Sequence, residues 1–288
     1  MAGVEDCRPK ISVVTVCYNV ASEIERTIKS VINQTYSNVE YIIIDGGSKD
    51  GTVDIIKKYA DKVSYWVSEP DKGIYDAMNK GIIAATGDWI NFMNAGDWFC
   101  GSSVLSDISH YLINNREFDI IYGSIYRVYE NYHYEAPPLP LEMIKIHQPM
   151  PHQGTFVKTS YHKKHLFDIS YRSAGDTHFF YEAYYKHKAS FIEIPKIIAY
   201  FEATYGMSTD QWKIAHQEDM RLRNKTASPK VQLKMRFYFA YRSVKEFVKK
   251  QCLPAAYIEQ RRYRQLLSRG FMLIPNSEMY LFEYFQRK

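Results

Sequence analysis

The sequence predicts an α/β fold: a mainly parallel sheet flanked by helices, with a basic helical extension at the C-terminal end. Three observations predict it. Between residues 11 and 93, runs of β-branched and aliphatic residues, apolar on both faces, alternate with stretches of helical period. Buried strands separated by helices assemble into right-handed βαβ units. The charge is divided along the chain: residues 1–210 hold 20 Lys and Arg against 26 Asp and Glu, a net of −6, whereas residues 211–270 hold 15 against 4, a net of +11. A mildly acidic body therefore carries a basic segment suited to an anionic surface.

The elements follow in order. Ile11–Cys17 (ISVVTVC) has no helical period and reads as a buried strand. Ser22 and Glu25 have the spacing of a capping box, and Ile24, Ile28, Val31 and Ile32 recur at helical spacing behind them. Val39–Ile44 is a second strand, Gly46–Gly51 (GGSKDG) a turn, and Thr52–Ala60 a short helix. Val63–Val67 is a third strand, Gly73–Ala85 a helix and Trp89–Met93 a fourth strand. Residues 100–205 hold strand and helix pieces punctuated by proline, with no repeat.

A chain of 288 residues with 46% hydrophobic and 24% charged residues can bury a full core. The 25 tyrosines suit a half-wet carbohydrate or headgroup surface, and equally suit plain replacement of Phe by Tyr. Cys7, Cys17, Cys100 and Cys252 form no CxxC pair, so neither a zinc ribbon nor a disulfide framework is expected. The N-terminal MAGVEDCRPK is unlike a signal peptide, and no run of about 18 apolar residues occurs. The expectation is a cytoplasmic protein.

In open parallel sheets, ligands bind beyond the carboxyl ends of the strands. Those ends deliver Cys17-Tyr18-Asn19, Asp45 to Ser48, Glu69 to Gly73, and Asn94 to Asp97. Neither GxGxxG nor GxxxxGK[ST] is present, which excludes the dinucleotide and P-loop readings. Acidic strand ends suit a diphosphate when Mg²⁺ or Mn²⁺ bridges the two.

Taken together, ISVVTVCYN, IIIDGGSKDGT, SEPDKGIYDAMNKGI and GDWINFMNAGDWF, in that order, resemble the family 2 glycosyltransferases. More narrowly they resemble the bacterial subgroup that builds O-antigen, capsule and related surface polysaccharides. The resemblance covers about residues 10–205. It implies a GT-A fold over residues 1–210, with about 10–100 binding the nucleotide sugar and about 100–210 serving the acceptor side. It also implies inverting transfer from a nucleoside diphosphate sugar, usually UDP-linked. On that resemblance Thr15, Tyr18 and Asp45 hold the uracil and ribose, with Gly47 and Ser48 in the same loop. Asp71 lies over the base or ribose, and Asn79 and Asn94 lie on the donor side. A carboxylate at Asp45 suits the uracil N3–H; the alternative is a turn residue preceding the glycines.

The family's Asp-x-Asp metal motif is altered. Here the stretch is Asn94-Ala95-Gly96-Asp97, so Asp97 is the one carboxylate left for a divalent cation (Mn²⁺ or Mg²⁺), with His178 as a further candidate ligand. The alternative is that Asp97 only caps the following segment. His152 and Gln153 match the family's acceptor side. Asp176 matches its catalytic base, which takes the acceptor hydroxyl's proton. The alternative for Asp176 is the N-cap of the helix that follows.

In the 211–288 extension, Leu233, Phe237, Ala240, Tyr241, Val244 and Val248 share one helical face, beside Lys230, Lys234, Arg242, Lys245 and Lys249. Ala255–Arg269 reads as a second basic helix. Two readings stand for residues 229–269: contact with the inner face of the cell membrane, where a polyprenyl-diphosphate-linked glycan acceptor resides, or a packed helix with a solvated basic face at a homodimer interface. No nucleic-acid-binding motif accompanies the charge. The competing function is a nucleotide-sugar-binding protein without transferase activity. A nucleotidyltransferase is disfavoured, because CYNVASE after the first strand lacks a Gly-rich basic loop.

Overall fold

The computed structural model describes residues 8–204, 211–223 and 255–276 and, between them, positions 229, 233, 236, 237, 240, 241, 243 and 244. The elements in the first half are β1 (Ile11–Cys17), α1 (Ile24–Ile32), β2 (Val39–Asp45), α2 (Thr52–Lys58), β3 (Tyr65–Ser68), α3 (Ile74–Ala84), β4 (Trp89–Phe92) and β5 (Trp98–Phe99). The second half adds α4 (Val104–Asn114), β6 (Ile120–Val128), β7 (Tyr132–Ala136), β8 (Thr155–Lys158), α5 (Thr159–Lys164), α6 (Gly175–Tyr185) and β9 (Phe191–Glu202). The extension contributes α7 (Trp212–Arg223), α8 (Ala255–Ser268) and β10 (Ile274–Pro275).

All the described strands belong to one ten-stranded sheet whose main path is β10-β7-β6-β8-β4-β1-β2-β3, with β9 on β6 and β5 on β9. The expected parallel pairing holds for β1 with β2 and β4, and for β2 with β3. Beyond β4 the sheet is mixed: β8 runs antiparallel to β4 and β6, β7 antiparallel to β6, and β9 parallel to β6. A tight turn joins β6 to β7, which permits only antiparallel pairing there.

Apolar character on both strand faces has a direct counterpart in packing. On β1, Ile11, Val13 and Cys17 enter the layer shared with α1 and α4, while Val14 and Val16 enter the layer shared with α3 and α6. Tyr41 and Ile43 follow the first set, Ile42 and Ile44 the second. Gly81 brings α3 close to the sheet, since a Cβ there would overlap the Val14 side chain. The Ser22–Glu25 capping box does not form. Helix α1 starts after Glu23 with no side-chain cap, and Glu25 instead accepts a hydrogen bond from Tyr59 Oη.

The extension is joined to the body. Strand β10 adds to β7, and Leu266 of α8 packs with Tyr132 and Tyr134. Helix α7 braces α6: the buried Glu218 carboxylate accepts the N–H groups of Arg172, Ser173 and Ala174 at 2.7–2.9 Å. These are the residues that enter α6, the helix that carries Asp176. Most of the helix expected from residue 229 onward lies outside the described residues. Of its apolar face, Leu233, Phe237, Ala240, Tyr241 and Val244 are described, and all five are exposed. No helix among the described residues is long and apolar enough to cross a membrane.

Candidate active site

The ends of β1, β2 and β3 stand abreast, with Cys17 opposite Asp45 and Asp45 opposite Ser68. Asp45 is fully buried. Its carboxylate accepts the Gly47 and Ser48 N–H groups at 3.1 and 2.9 Å, and the Ser48 and Ser68 hydroxyls. Burial pushes this carboxyl up, and the two hydroxyls with the Ser48 N–H more than reverse it, so Asp45 stays below its ordinary range. Asp45 therefore organises the turn: Gly47, at φ +83°, wraps around it, and Ser48 Oγ also accepts the Asn19 N–H at 2.7 Å. Both carboxylate oxygens are thus engaged within the turn in this structure.

Two further donor-side candidates are engaged within the fold. Thr15 lies two residues short of the strand end, on the face toward α1 and α4. Its hydroxyl is buried, donates to the Met93 carbonyl at 2.7 Å and meets Tyr41 Oη at 3.0 Å. Asn79 uses both ends of its amide on Phe167, donating to its carbonyl and accepting its N–H, each at 2.9 Å. Both hold the frame and are closed to a ligand.

Tyr18 and Asp71 remain open. Tyr18 is 63% exposed. Asp71 Oδ1 accepts the Gly73 N–H at 2.8 Å, while Oδ2 lies 2.5 Å from where a Cβ of residue 46 would stand, with Tyr18 Cδ2 3.2 Å from the same point. Glycine at 46 is what lets the Asp71 carboxylate and the Tyr18 ring converge at this edge.

Around the altered metal motif, Asp97 is buried. Its Oδ2 accepts Gln153 Nε2 at 2.8 Å and its Oδ1 accepts the Glu202 N–H at 3.2 Å. Burial raises its pKa to about 6, against the lowering pull of His152, Gln153 and Arg26. Glu23 Oε2 lies 2.9 Å from where a Cβ of Gly96 would stand, and Arg26 donates to the Gly96 carbonyl at 3.1 Å while lying 3.6 Å over the Trp98 ring. His178 is elsewhere: it stacks on Tyr171 and faces Glu182. Among the described residues no group of three His, Cys, Asp or Glu could hold a metal ion. The residues present thus do not fit a cation held through Asp97 and His178, because the Asp97 carboxylate is already spent on Gln153 and the β9 backbone.

The best-built group in the site is the one around Asp176. It lies in the first turn of α6, whose cap residue is Ala174, so Asp176 is not the N-cap. The helix N-terminus favours its charge. Oδ1 accepts the Thr177 N–H at 2.8 Å and the Tyr75 hydroxyl at 3.2 Å; Oδ2 accepts Gln148 Nε2 at 3.1 Å and faces His152 Nδ1 at 3.4 Å. Burial pushes this carboxyl up, but His152, the Thr177 N–H and Gln148 hold it below its ordinary range. Gly175 is required because any Cβ there would lie 2.7 Å from the Tyr75 ring. His152 Nε2 in turn meets Asn94 Nδ2 at 3.1 Å, linking Asp176 to the turn after β4. A cavity of about 540 Å³ opens on Gln148, His152, Gln153 and Asp176. Sequence reasoning missed Tyr75, although it lies inside the SEPDKGIYDAMNKGI stretch, and missed Gln148.

A mixed sheet with acidic loops at its parallel strand ends and a buried carboxylate at a cavity is the architecture of a GT-A type sugar-transfer enzyme. The chain belongs to glycosyl transferase family 2, whose model matches residues 12–174. It is 33% identical over 180 residues to an uncharacterized glycosyltransferase of Mycobacterium tuberculosis, covering 61% of this chain and 69% of the relative. It is 31% identical over 120 residues to a PGL/p-HBAD biosynthesis glycosyltransferase of Mycobacterium bovis, covering 41% of this chain and 47% of that one. The fold is similar to that of S. aureus TarS in complex with UDP-GlcNAc (TM-score 0.60, 19% identity, 84% of this chain and 74% of that one). It is also similar to a mannosyltransferase from Pyrobaculum calidifontis in complex with GDP-Man and Mn²⁺ (TM-score 0.56, 18% identity, 90% and 81%). The protein is a glycosyltransferase, and the alternative of a binding protein without transferase activity is set aside.

Proposed function

We propose that this enzyme transfers a sugar, with inversion, from a UDP-linked donor to a hydroxyl of a lipid-linked glycan in the building of a bacterial surface polysaccharide. The observation that carries the reading is the Asp176 carboxylate: ionised, fixed by four partners and facing the cleft. The donor lies over the edge formed by Tyr18, Asp71 and the turn wound on Asp45. The acceptor hydroxyl enters the cavity and gives its proton to Asp176 as it attacks the anomeric carbon from the face opposite the diphosphate. A single displacement converts an α-linked donor into a β-linked product.

The exposed Leu233, Phe237, Tyr241 and Val244, in a segment rich in Lys and Arg, support contact with an anionic membrane face, at roughly 1 kcal/mol per basic residue near the surface. The placement is then cytoplasmic and peripheral. Because β10 is part of the sheet, point substitution tests this more cleanly than truncation: Phe237→Glu with Tyr241→Glu should move the protein from the vesicle pellet to the supernatant. The function itself is tested by incubating the enzyme with a panel of UDP-, GDP- and dTDP-sugars, with and without Mn²⁺ or Mg²⁺, and measuring nucleoside diphosphate release. Release confined to a non-uridine donor would overturn the UDP assignment, and release from none would overturn the reading.

A further inference from the structure

The cavity beside Asp176 has a second charged feature that neither the donor edge nor the base uses. Its lining includes Arg127 on β6 and Arg262 on α8. Each guanidinium lies over a ring, Arg127 5.8 Å from the Phe201 centroid and Arg262 4.6 Å from that of Tyr129. Neither is paired with a carboxylate among the described residues. Two like charges brought to one cavity without a counter-ion repel each other, and an arginine fork matches the oxygens of a phosphate.

Their place along the sheet is informative. Ile125 and Arg127 on β6 and Tyr129 just beyond its end all line the cavity. Ile125 abuts Gly154, two residues from His152. Arg127 therefore lies roughly 7 Å further along the strand from the catalytic end, at about 3.3 Å of rise per residue. Pro137, Leu139, Pro149 and Met150 give the same cavity an apolar wall.

We propose that Arg127 and Arg262 form an anion subsite for the acceptor, holding a phosphate or diphosphate group that the acceptor carries beyond its reacting hydroxyl. The inference rests on the glycosyltransferase reading. It gives the basic extension a role inside the active site, because α8 delivers Arg262 to the cavity while Leu266 and β10 anchor that helix to the sheet. The recognised chemistry is a phosphate ester, which a lipid-linked diphosphate and a soluble sugar phosphate share; the aliphatic wall serves the first.

The test uses the full chain, with farnesyl diphosphate, glucose 1-phosphate and farnesol as probes in calorimetry at fixed ionic strength, and UDP binding measured in parallel. Arg127→Gln and Arg262→Gln should each weaken the phosphate-bearing probe by about tenfold or more, leaving UDP affinity unchanged, and the Arg→Lys variants should retain part of the binding. Preference for farnesyl diphosphate over glucose 1-phosphate assigns a lipid-linked acceptor, and the reverse a soluble one. The inference is overturned if the double Gln variant binds these probes as the wild type does, if neither phosphate-bearing probe binds better than farnesol, or if UDP affinity falls in step, which would place the arginines on the donor. A protein that binds phosphate probes through these arginines and binds no nucleotide would leave the subsite standing and remove the donor reading instead.

Discussion

Replacing Asp176 by Asn isolates its proton-accepting role, since the side chain keeps its shape and loses its charge. The retained Oδ1 can still accept from Thr177 N–H and Tyr75 Oη. The new Nδ2 faces two donors, Gln148 Nε2 and His152 Nδ1, so two charge-assisted contacts disappear, at roughly 1.5–3 kcal/mol each. Part of that loss is offset because a buried charge is also removed. A net destabilisation of about 1–3 kcal/mol follows, a fall in melting temperature of roughly 3–10 °C for a chain of this size. An enzyme destabilised to that extent remains folded at 25 °C, so stability alone predicts little loss of rate.

Loss of a general base predicts a fall of roughly a hundred- to ten-thousand-fold. The assay is acceptor-dependent release of nucleoside diphosphate with the donor found by the panel screen, alongside donor affinity by calorimetry. Because the Asp176 pKa is held below its ordinary range, the carboxylate is ionised throughout pH 6–9, and it should impose no acid limb on the wild-type profile there. The reasoning fails if the Asn variant keeps its rate within tenfold of wild type with donor binding intact.

Three other perturbations follow from named contacts. Gly46→Ala puts a methyl where Asp71 Oδ2 now stands, and should lower UDP affinity about tenfold by isothermal titration with little change in melting temperature; undiminished affinity would detach Asp71 from the donor. Glu40, buried on β2 beside Lys10, Ser12 and Thr86, has its pKa lowered to about 2, because those partners overcome the effect of burial. Its stabilisation is complete above about pH 4.5 and is lost as pH falls through 2, so Glu40→Gln should cost up to about 3 kcal/mol at pH 7 and almost nothing near pH 2 in urea titrations. Asp97 has the opposite sign. With its pKa raised to about 6, wild-type stability should fall by up to about 3 kcal/mol as pH rises from 4 to 6, and Asp97→Asn should remove that slope in thermal melts; an unchanged slope would locate it in another group.

The order of strands and helices from β1 to β4 was legible because β1, β2 and β4 are buried on both faces and show as largely apolar runs, with only the edge strand β3 partly exposed. The antiparallel half was not, since residues 120–136 form a hairpin whose aromatic and polar residues alternate without a recognisable turn dipeptide. Asp176 could be singled out as a candidate, but its environment could not: Tyr75 reaches it from 101 residues away, and the SEPDKGIYDAMNKGI stretch around Tyr75 does not say which residue it meets. The requirement for glycine at 175 is visible only once that ring is in place.

These donor-side placements share one cause. The rule that ligands gather at the carboxyl ends of parallel strands selects a loop, and it is silent on which side chains in that loop face outward. At the end of β2 the residue with the most suitable chemistry, Asp45, is turned inward, and the loop's shape is made from its hydrogen bonds. Removing its carboxylate would release Gly47, Ser48 and Ser68 together, and would alter the donor edge without removing a ligand contact. On the proposed function, the residue that meets the donor is Asp71 on the neighbouring loop, admitted by the missing side chain at Gly46. A motif shared across a family can therefore record the residue that builds the site rather than the one that touches the substrate. Loss of binding on mutating Asp45 would be the same under either role. Only its combination with the Gly46→Ala result, where Asp45 is left intact, separates the two.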